Sequence, residues 1–243
     1  MVSRLKRRGF DIEFRGHAEA ILSTDFPAAL QELESVLRET SIPILEIIGS
    51  GGGEAAGTQR MRRALDEKGW KKSKFEIIKI VNNERRESAT HEIDHVRALE
   101  GGTLALEIEW NNKDPFFDRD LDNFKRLHAD SAVSAGIIIT RGSSLQASLK
   151  PMVLRFAKEN RINSFDDLAN LGIRPPTPRQ KAAIEKRADR DANFPEAWSS
   201  HFVADKFGEA TTHWRKLQER VQRGVGSPCP LLMIGLSDQV VSF

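Results

Sequence analysis

Between Gly101 and Phe156 the chain switches hydrophobic period repeatedly, and that stretch constrains the fold more than any other. Leu104, Leu106, Ile108 and Trp110 alternate with Thr103, Ala105, Glu107 and Glu109, the period of two expected of a strand. Pro115 follows, and from Asp118 to Ala132 the spacing of Leu121, Phe124 and Leu127 becomes helical. Ala135 to Thr140 is a short apolar strand, and beyond Arg141-Gly142-Ser143-Ser144 a second helical spacing carries Leu145, Leu149, Met152, Val153 and Phe156. Strands separated by helices imply an α/β architecture.

The flanking sequence extends this pattern. Apolar residues from Ala18 to Leu37 follow a helical period, with an interruption near Thr24-Asp25-Phe26-Pro27. Ile42 to Ile48 is expected to be a strand, followed by a basic helix from Ala55 to Glu67 and a strand from Lys74 to Val81. Between the first two lies Gly49-Ser50-Gly51-Gly52-Gly53, which lacks a terminal Gly-Lys-Ser/Thr and the spacing of a dinucleotide fingerprint, so a nucleotide cradle is set aside. A flexible turn and a contact of backbone amides with a nucleic-acid phosphate both stay open. Arg174-Pro175-Pro176-Thr177-Pro178 is a linker or ordered loop, Thr212 to Gln222 is expected to be helical, and Leu231 to Leu236 is a late strand. That strand argues for one domain over 1–243, with 160–228 a helical and loop elaboration before it.

The 243 residues suffice to bury a core without staples, and the single cysteine, Cys229, excludes a disulfide framework and a multi-cysteine zinc cluster. A buried structural thiol in a reducing compartment is the expectation. No apolar run approaches membrane-spanning length and no apolar signal core follows the basic N-terminus, so a soluble cytoplasmic protein is expected. The net charge of +2 hides basic runs at Arg4, Lys6, Arg7 and Arg8 and again from Arg60 to Lys74. Such runs are either solvated faces or the local fields that a phosphate backbone feels.

In a strand from Thr103 to Trp110, Glu107 and Glu109 share one face, and a hairpin turning at Gly101-Gly102 brings Asp94 near them. Three carboxylates form a hard oxygen site that suits Mg²⁺, because like charges held together need a compensating cation or donor. A solvated acidic strand face is the plainer alternative. In phosphodiester hydrolysis such a cation polarises the phosphate and lowers the pKa of water. Asp94 and Glu107 are then the direct ligands, the Ile108 backbone carbonyl a further one, and Glu109 the residue that positions or deprotonates the water.

His91-Glu92-Ile93-Asp94-His95 also matches HExxH, which on a helix would hold zinc through His91 and His95 with Glu92 as base, the arrangement of a metallopeptidase. Surface or structural histidines, or histidines flanking the carboxylates, are the other readings. Asn111, Asn112 and Lys113 leave the acidic strand, and Arg141, Ser143 and Ser144 leave the next, where side chains with these donors and acceptors could read bases or grip phosphate. Caps, turns and salt links account for any one of them alone.

Ile93-Asp94 followed by Leu104-Ala105-Leu106-Glu107-Ile108-Glu109-Trp110-Asn111-Asn112-Lys113-Asp114 resembles the type II restriction endonucleases of the BamHI, BglII and BstYI group, within the PD-(D/E)xK superfamily. The strand and helix order extends the likeness over most of residues 18 to 160, and Cys229 to Gly235 is similar to the last strand of relatives. The resemblance implies a restriction-endonuclease-like α/β core with a central mixed sheet flanked by helices. It also implies a homodimer and Mg²⁺-dependent cleavage of palindromic double-stranded DNA, often around a GATC core. By motif, Asp94 and Glu107 correspond to the metal carboxylates and Glu109 to the catalytic position, where the superfamily commonly has lysine and this group can have glutamate or glutamine. Lys113 lies four residues beyond and cannot be assumed to stand in. Asn112 falls where the group places a base-reading residue, and Arg141 and Ser143 fall in another recognition loop. A non-catalytic DNA-binding protein of the same fold is the main alternative that the resemblance leaves.

Overall fold

The computed structural model describes residues 2–49, 54–191 and 193–243, so Gly51, Gly52 and Gly53 of the glycine segment lie outside the described residues. The N-terminal part comprises α1 (Val2–Arg7), β1 (Asp11–Arg15), α2 (Ala18–Thr24), α3 (Pro27–Glu39), β2 (Ile42–Pro43), α4 (Ile44–Gly49) and α5 (Ala56–Glu67). The central part comprises β3 (Lys71–Val81), β4 (Glu84–Leu99), β5 (Gly102–Glu109), α6 (Phe116–Ala129), β6 (Ala135–Arg141) and α7 (Ser143–Glu159). The remainder is helical, with α8 (Phe165–Asn170), α9 (Pro178–Asp191), α10 (Phe194–Phe207) and α11 (Trp214–Gln222), until β7 (Leu231–Leu236) and β8 (Val241–Ser242) close the chain. No helix among the described residues is long and apolar enough to cross a membrane.

Six strands form one mixed sheet in the order β1-β7-β6-β5-β4-β3. The middle strands β5, β6 and β7 run parallel, and β1, β4 and β3 join antiparallel at the flanks. Every residue of β6 and β7 is buried, as expected of parallel strands covered on both faces. Leu104, Leu106, Ile137 and Ile139 face one core with α3, α7 and α10, whereas Ala105 and Ile138 face a second with Phe117, Leu121 and Phe124 of α6 and Leu217 of α11. The α6 helix sits close, since a Cβ on Gly136 would come within 2.3 Å of the Phe124 ring. An α/β fold with a mixed sheet flanked by helices is therefore what the chain adopts.

The strand expected from Ile42 to Ile48 is a correction. Only Ile42 and Pro43 are extended, and α4 begins at Ile44. Pro43 offers no N–H to a ladder but is well tolerated at a helix start, and Ile44, Ile47 and Ile48 bury at helical spacing.

After Val81 the chain makes a tight turn within a long hairpin. Asn82 and Asn83 take positive φ of 51° and 65°, the pair of left-handed conformations that a two-residue hairpin turn requires and asparagine tolerates. Near its base the hairpin carries a β-bulge: Ser73 pairs with Ile93 and Lys71 with Val96, so Asp94 and His95 together oppose Lys72. Beyond the bulge β4 begins pairing with β5, at His95 with Leu106. A bulge re-aims the side chains beside it, and here it sets Asp94 next to the acidic strand.

Candidate active site

Glu107 and Glu109 lie on the β5 face that carries Ala105, as strand parity requires, and both are buried, at 3% and 2% exposure. Asp120, a full turn into α6, is wholly buried against them. The amide of Asp94 donates to Glu107 Oε1 at 3.3 Å, in the place a ladder bond would take had the pairing with β5 continued. Asn112 Nδ2 donates to Glu109 Oε2 at 2.7 Å. Arg119 donates through Nε and Nη2 to Asp120 Oδ1 at 2.9 and 2.7 Å, and its Nη2 lies 3.7 Å from Glu109 Oε1.

Burial, with the nearby charges of Asp120 and Asp94, pushes the Glu107 carboxyl up to about 9. Burial and Asp120 likewise push Glu109 up to about 8, against the pull of Asn112 and Arg119. Burial also raises Asp120, although Arg119 opposes it.

The donor set suits a hard divalent ion: buried carboxylates that repel one another, with Asp120 Oδ2 buried and lacking a hydrogen-bond donor among the described residues. The expected cluster of Asp94, Glu107 and Glu109 is nevertheless corrected in one respect. Among the described residues no three acidic, histidine or cysteine side chains converge as a ready metal cage. The Asp94 carboxylate is 55% exposed and pairs with Lys72 at 3.5 Å, while the two glutamates stay inside near Arg119. Ile108, between them, is half-buried and paired in register with Ile139. On the Asp94 side a cavity of about 280 Å³ is lined by Arg62, Arg63, Trp70, Lys72 and His95. Cations of the basic stretch, inside the cavity and out, are largely paired with carboxylates: Arg62 with Glu54 at 3.2 Å, Lys72 with Glu92 at 2.7 Å, Arg60 with Glu46 at 2.7 Å and Lys71 with Asp66 at 2.7 Å.

The polar residues at the strand exits divide. Asn112 and Lys113 are exposed, whereas Asn111 is half-buried. Asn112 is tied to Glu109 by its side chain and to Thr212 through its backbone, at 3.1 and 2.8 Å. Arg141 does not meet the expectation of a free reader of bases: it is fully buried, stacked 4.9 Å from the Phe207 ring centre, and donates to the Thr212 carbonyl and the Thr211 hydroxyl at 2.7 and 2.6 Å. Its parity explains this, since it follows Ile137 and Ile139 into the core containing α7 and α10. Ser143 and Ser144 open α7, the amide of Ser143 bonding Asp11 Oδ2 at 2.6 Å and the hydroxyl of Ser144 accepting from the Asp238 amide at 3.2 Å.

The zinc peptidase reading fails on secondary structure. Residues 91–95 are in β4, not a helix. His91 bonds Asn123 of α6 at 2.9 Å, whereas His95, beyond the bulge, faces the other core with Nδ1 3.3 Å from the Leu106 carbonyl. The two imidazoles therefore diverge, and burial holds that of His95 below its ordinary value.

Asp120 was not singled out from the sequence, although a signal existed. It falls within the apolar stripe Phe117, Leu121, Phe124 of its helix, and a carboxylate in a buried stripe is costly enough to need a purpose.

Compared one by one with curated proteins, the chain has no match. A family model does match, over residues 10–236, which takes in the whole six-stranded sheet and the acidic centre. On that match, and with a mixed sheet carrying paired glutamates beside a bulged aspartate, the chain belongs to the restriction endonuclease BglII/BglIII family.

Proposed function

We propose that this protein is a Mg²⁺-dependent type II restriction endonuclease that hydrolyses phosphodiester bonds at a palindromic site in double-stranded DNA. Family membership implies nuclease action on duplex DNA in general. The observation that carries the finer reading is the burial of Glu107 and Glu109 together at the exit of β5, with the Asp94 amide on Glu107. A solvated acidic face would not bury two carboxyls and raise both toward neutrality and above.

Asp94, Glu107 and the Ile108 carbonyl are the groups that would hold the ion. When bound, Mg²⁺ supplies Lewis acidity at the phosphate and a lowered pKa for water. Glu109 then serves as the acceptor for the proton of the attacking water, aimed by the 2.7 Å bond from Asn112. Asn111, Asn112 and Lys113, where β5 opens to the surface, are the proposed DNA contacts. Arg141, Ser143 and Ser144 serve that surface by anchoring its frame, since Arg141 holds the 211–212 segment that in turn binds Asn112.

The whole chain acts as one domain, and two copies related by a two-fold would read the two half-sites of a palindrome. A site around a GATC core is the specificity proposed from the family resemblance. Cleavage of a large DNA in MgCl₂, followed by sequencing of the ends, tests activity and site together. Discrete ends with a common palindrome, abolished in Glu107→Ala, are expected. Specific binding without cleavage across several divalent ions would overturn the enzymatic reading in favour of a DNA-binding protein.

A further inference from the structure

The α6 helix places a fourth carboxylate in the centre. Asp120 is fully buried on the same side of the sheet as Glu107 and Glu109. One of its oxygens is taken by the Arg119 fork, the other has no donor among the described residues, and the same Arg119 Nη2 lies 3.7 Å from Glu109 Oε1. A structural aspartate buried this deeply would be expected to have both oxygens satisfied, because an unpaired buried acceptor loses its water without gaining a donor.

Arg119 adds a second observation. Its guanidinium reaches from the surface, with its side chain 54% exposed and lying 4.5 Å from the Phe116 ring centre, and ends between Asp120 and Glu109. It delivers a positive charge to the place where these carboxylates lack one. The fork covers a single oxygen of Asp120 and stands 3.7 Å from Glu109, so it compensates the pair only in part. An ion bound by Asp120 beside Glu109 would complete the compensation, and Arg119 has open solvent to withdraw into.

We propose that Asp120 is a ligand of the divalent-cation centre, completing it from α6 beside Glu109, and that Arg119 holds the place of the cation in the metal-free protein. This rests on the nuclease reading above and extends it to a residue outside the strand motif. It also accounts for the absence of a ready cage among the described residues: with the Arg119 fork in place, the ligands have not closed on one point.

The test is Mn²⁺ binding to the full chain without DNA, followed by water-proton relaxation up to millimolar ion. Asp120→Asn should weaken binding at least tenfold, about as much as Glu107→Gln, while Asp118→Asn on the same helix leaves it unchanged. Arg119→Gln should tighten binding several-fold, and it keeps the proposal testable should Asp120→Asn fail to fold. Wild-type affinity in Asp120→Asn, alongside loss in Glu107→Gln, would remove Asp120 from the centre and leave the nuclease reading intact. Unchanged or weaker binding in Arg119→Gln would refute the place-holding role. If the wild-type chain bound no Mn²⁺, the metal centre itself and this extension of it would both fall.

Discussion

Replacing Glu107 by glutamine should stabilise the metal-free protein, by an amount that depends on pH in a calculable way. The carboxyl ionises at the ordinary 4.5 when unfolded and at about 9 in the fold. Between those values the folded state binds a proton that the unfolded state has released. The stabilisation associated with that proton is fully present below about 4.5 and is lost as pH rises toward 9. At pH 7 the loss is at most about 3.5 kcal/mol, from roughly 1.4 kcal/mol per pH unit over the interval from 4.5 to 7.

Glutamine is nearly isosteric and neutral at every pH, and its side-chain oxygen can still accept the Asp94 amide. Glu107→Gln should therefore match wild type near pH 5 and exceed it by about 2–3 kcal/mol at pH 7, which for a chain of this length raises Tm by roughly 5–10 °C. Urea denaturation in EDTA at several pH values measures it. A variant less stable than wild type at pH 8, or a difference that does not grow with pH, would show that Glu107 is not held in the strained environment described above.

Other substitutions probe neighbouring parts of the structure. Asn112→Ala should lower single-turnover cleavage by about 10- to 100-fold, the usual scale for losing a group that orients a proton acceptor, with a smaller change in DNA affinity; a larger loss of binding than of rate would assign Asn112 to recognition alone. Arg141→Ala should cost about 3 kcal/mol in urea denaturation, from the lost bonds to Thr211 and Thr212 and the space left against Phe207, and a loss under about 1 kcal/mol would contradict its framing role. Gly136→Ala should destabilise by about 1–3 kcal/mol or more, and Phe124→Leu should relieve part of it, since the added methyl meets that ring. Cys229 is buried and its thiol pushed up to about 12, so it should resist alkylation at pH 8 until the protein unfolds; fast labelling of native protein would refute this.

The central sheet was legible because its strands carry strong periodic signals. Alternation marked β5, and the short apolar runs of β6 and β7 matched to within a residue. What escaped did so for physical reasons. The run after Ser41 is apolar enough for a strand, but the missing N–H of Pro43 and a stripe of three isoleucines at helical spacing make it a helix. The β1 strand, Asp-Ile-Glu-Phe-Arg, alternates but offers only two apolar residues in five at a sheet edge, too short a run to stand out, and pairing with β7 decides. The helices from α8 to α10 carry long stretches of charge and a Pro-rich lead-in, and they are held by packing against α7 and the first core more than by any local pattern.

The same distinction explains the site. Strand parity located Glu107 and Glu109 on one face, because period two admits no ambiguity of side. It could not say how Asp94 would present itself, since that depends on a bulge created by pairing with Lys72, and a bulge has no signature in the sequence of one strand. Nor could it separate Arg141 from Lys113, which both follow apolar strands; the former ends on the inward face and the latter lies past the strand end in an isolated bridge with Thr211. Asp120 lay in plain view as an acid among buried helical positions. A motif search along β5 passes over it because its relation to Glu109 exists only across the packing of α6 on the sheet, a contact so close that Gly136 leaves no room for a methyl group. The centre is thus specified twice, by the alternation of one strand and by the register of one helix upon it, and a shift of α6 would unmake it without altering a single residue of the strand motif.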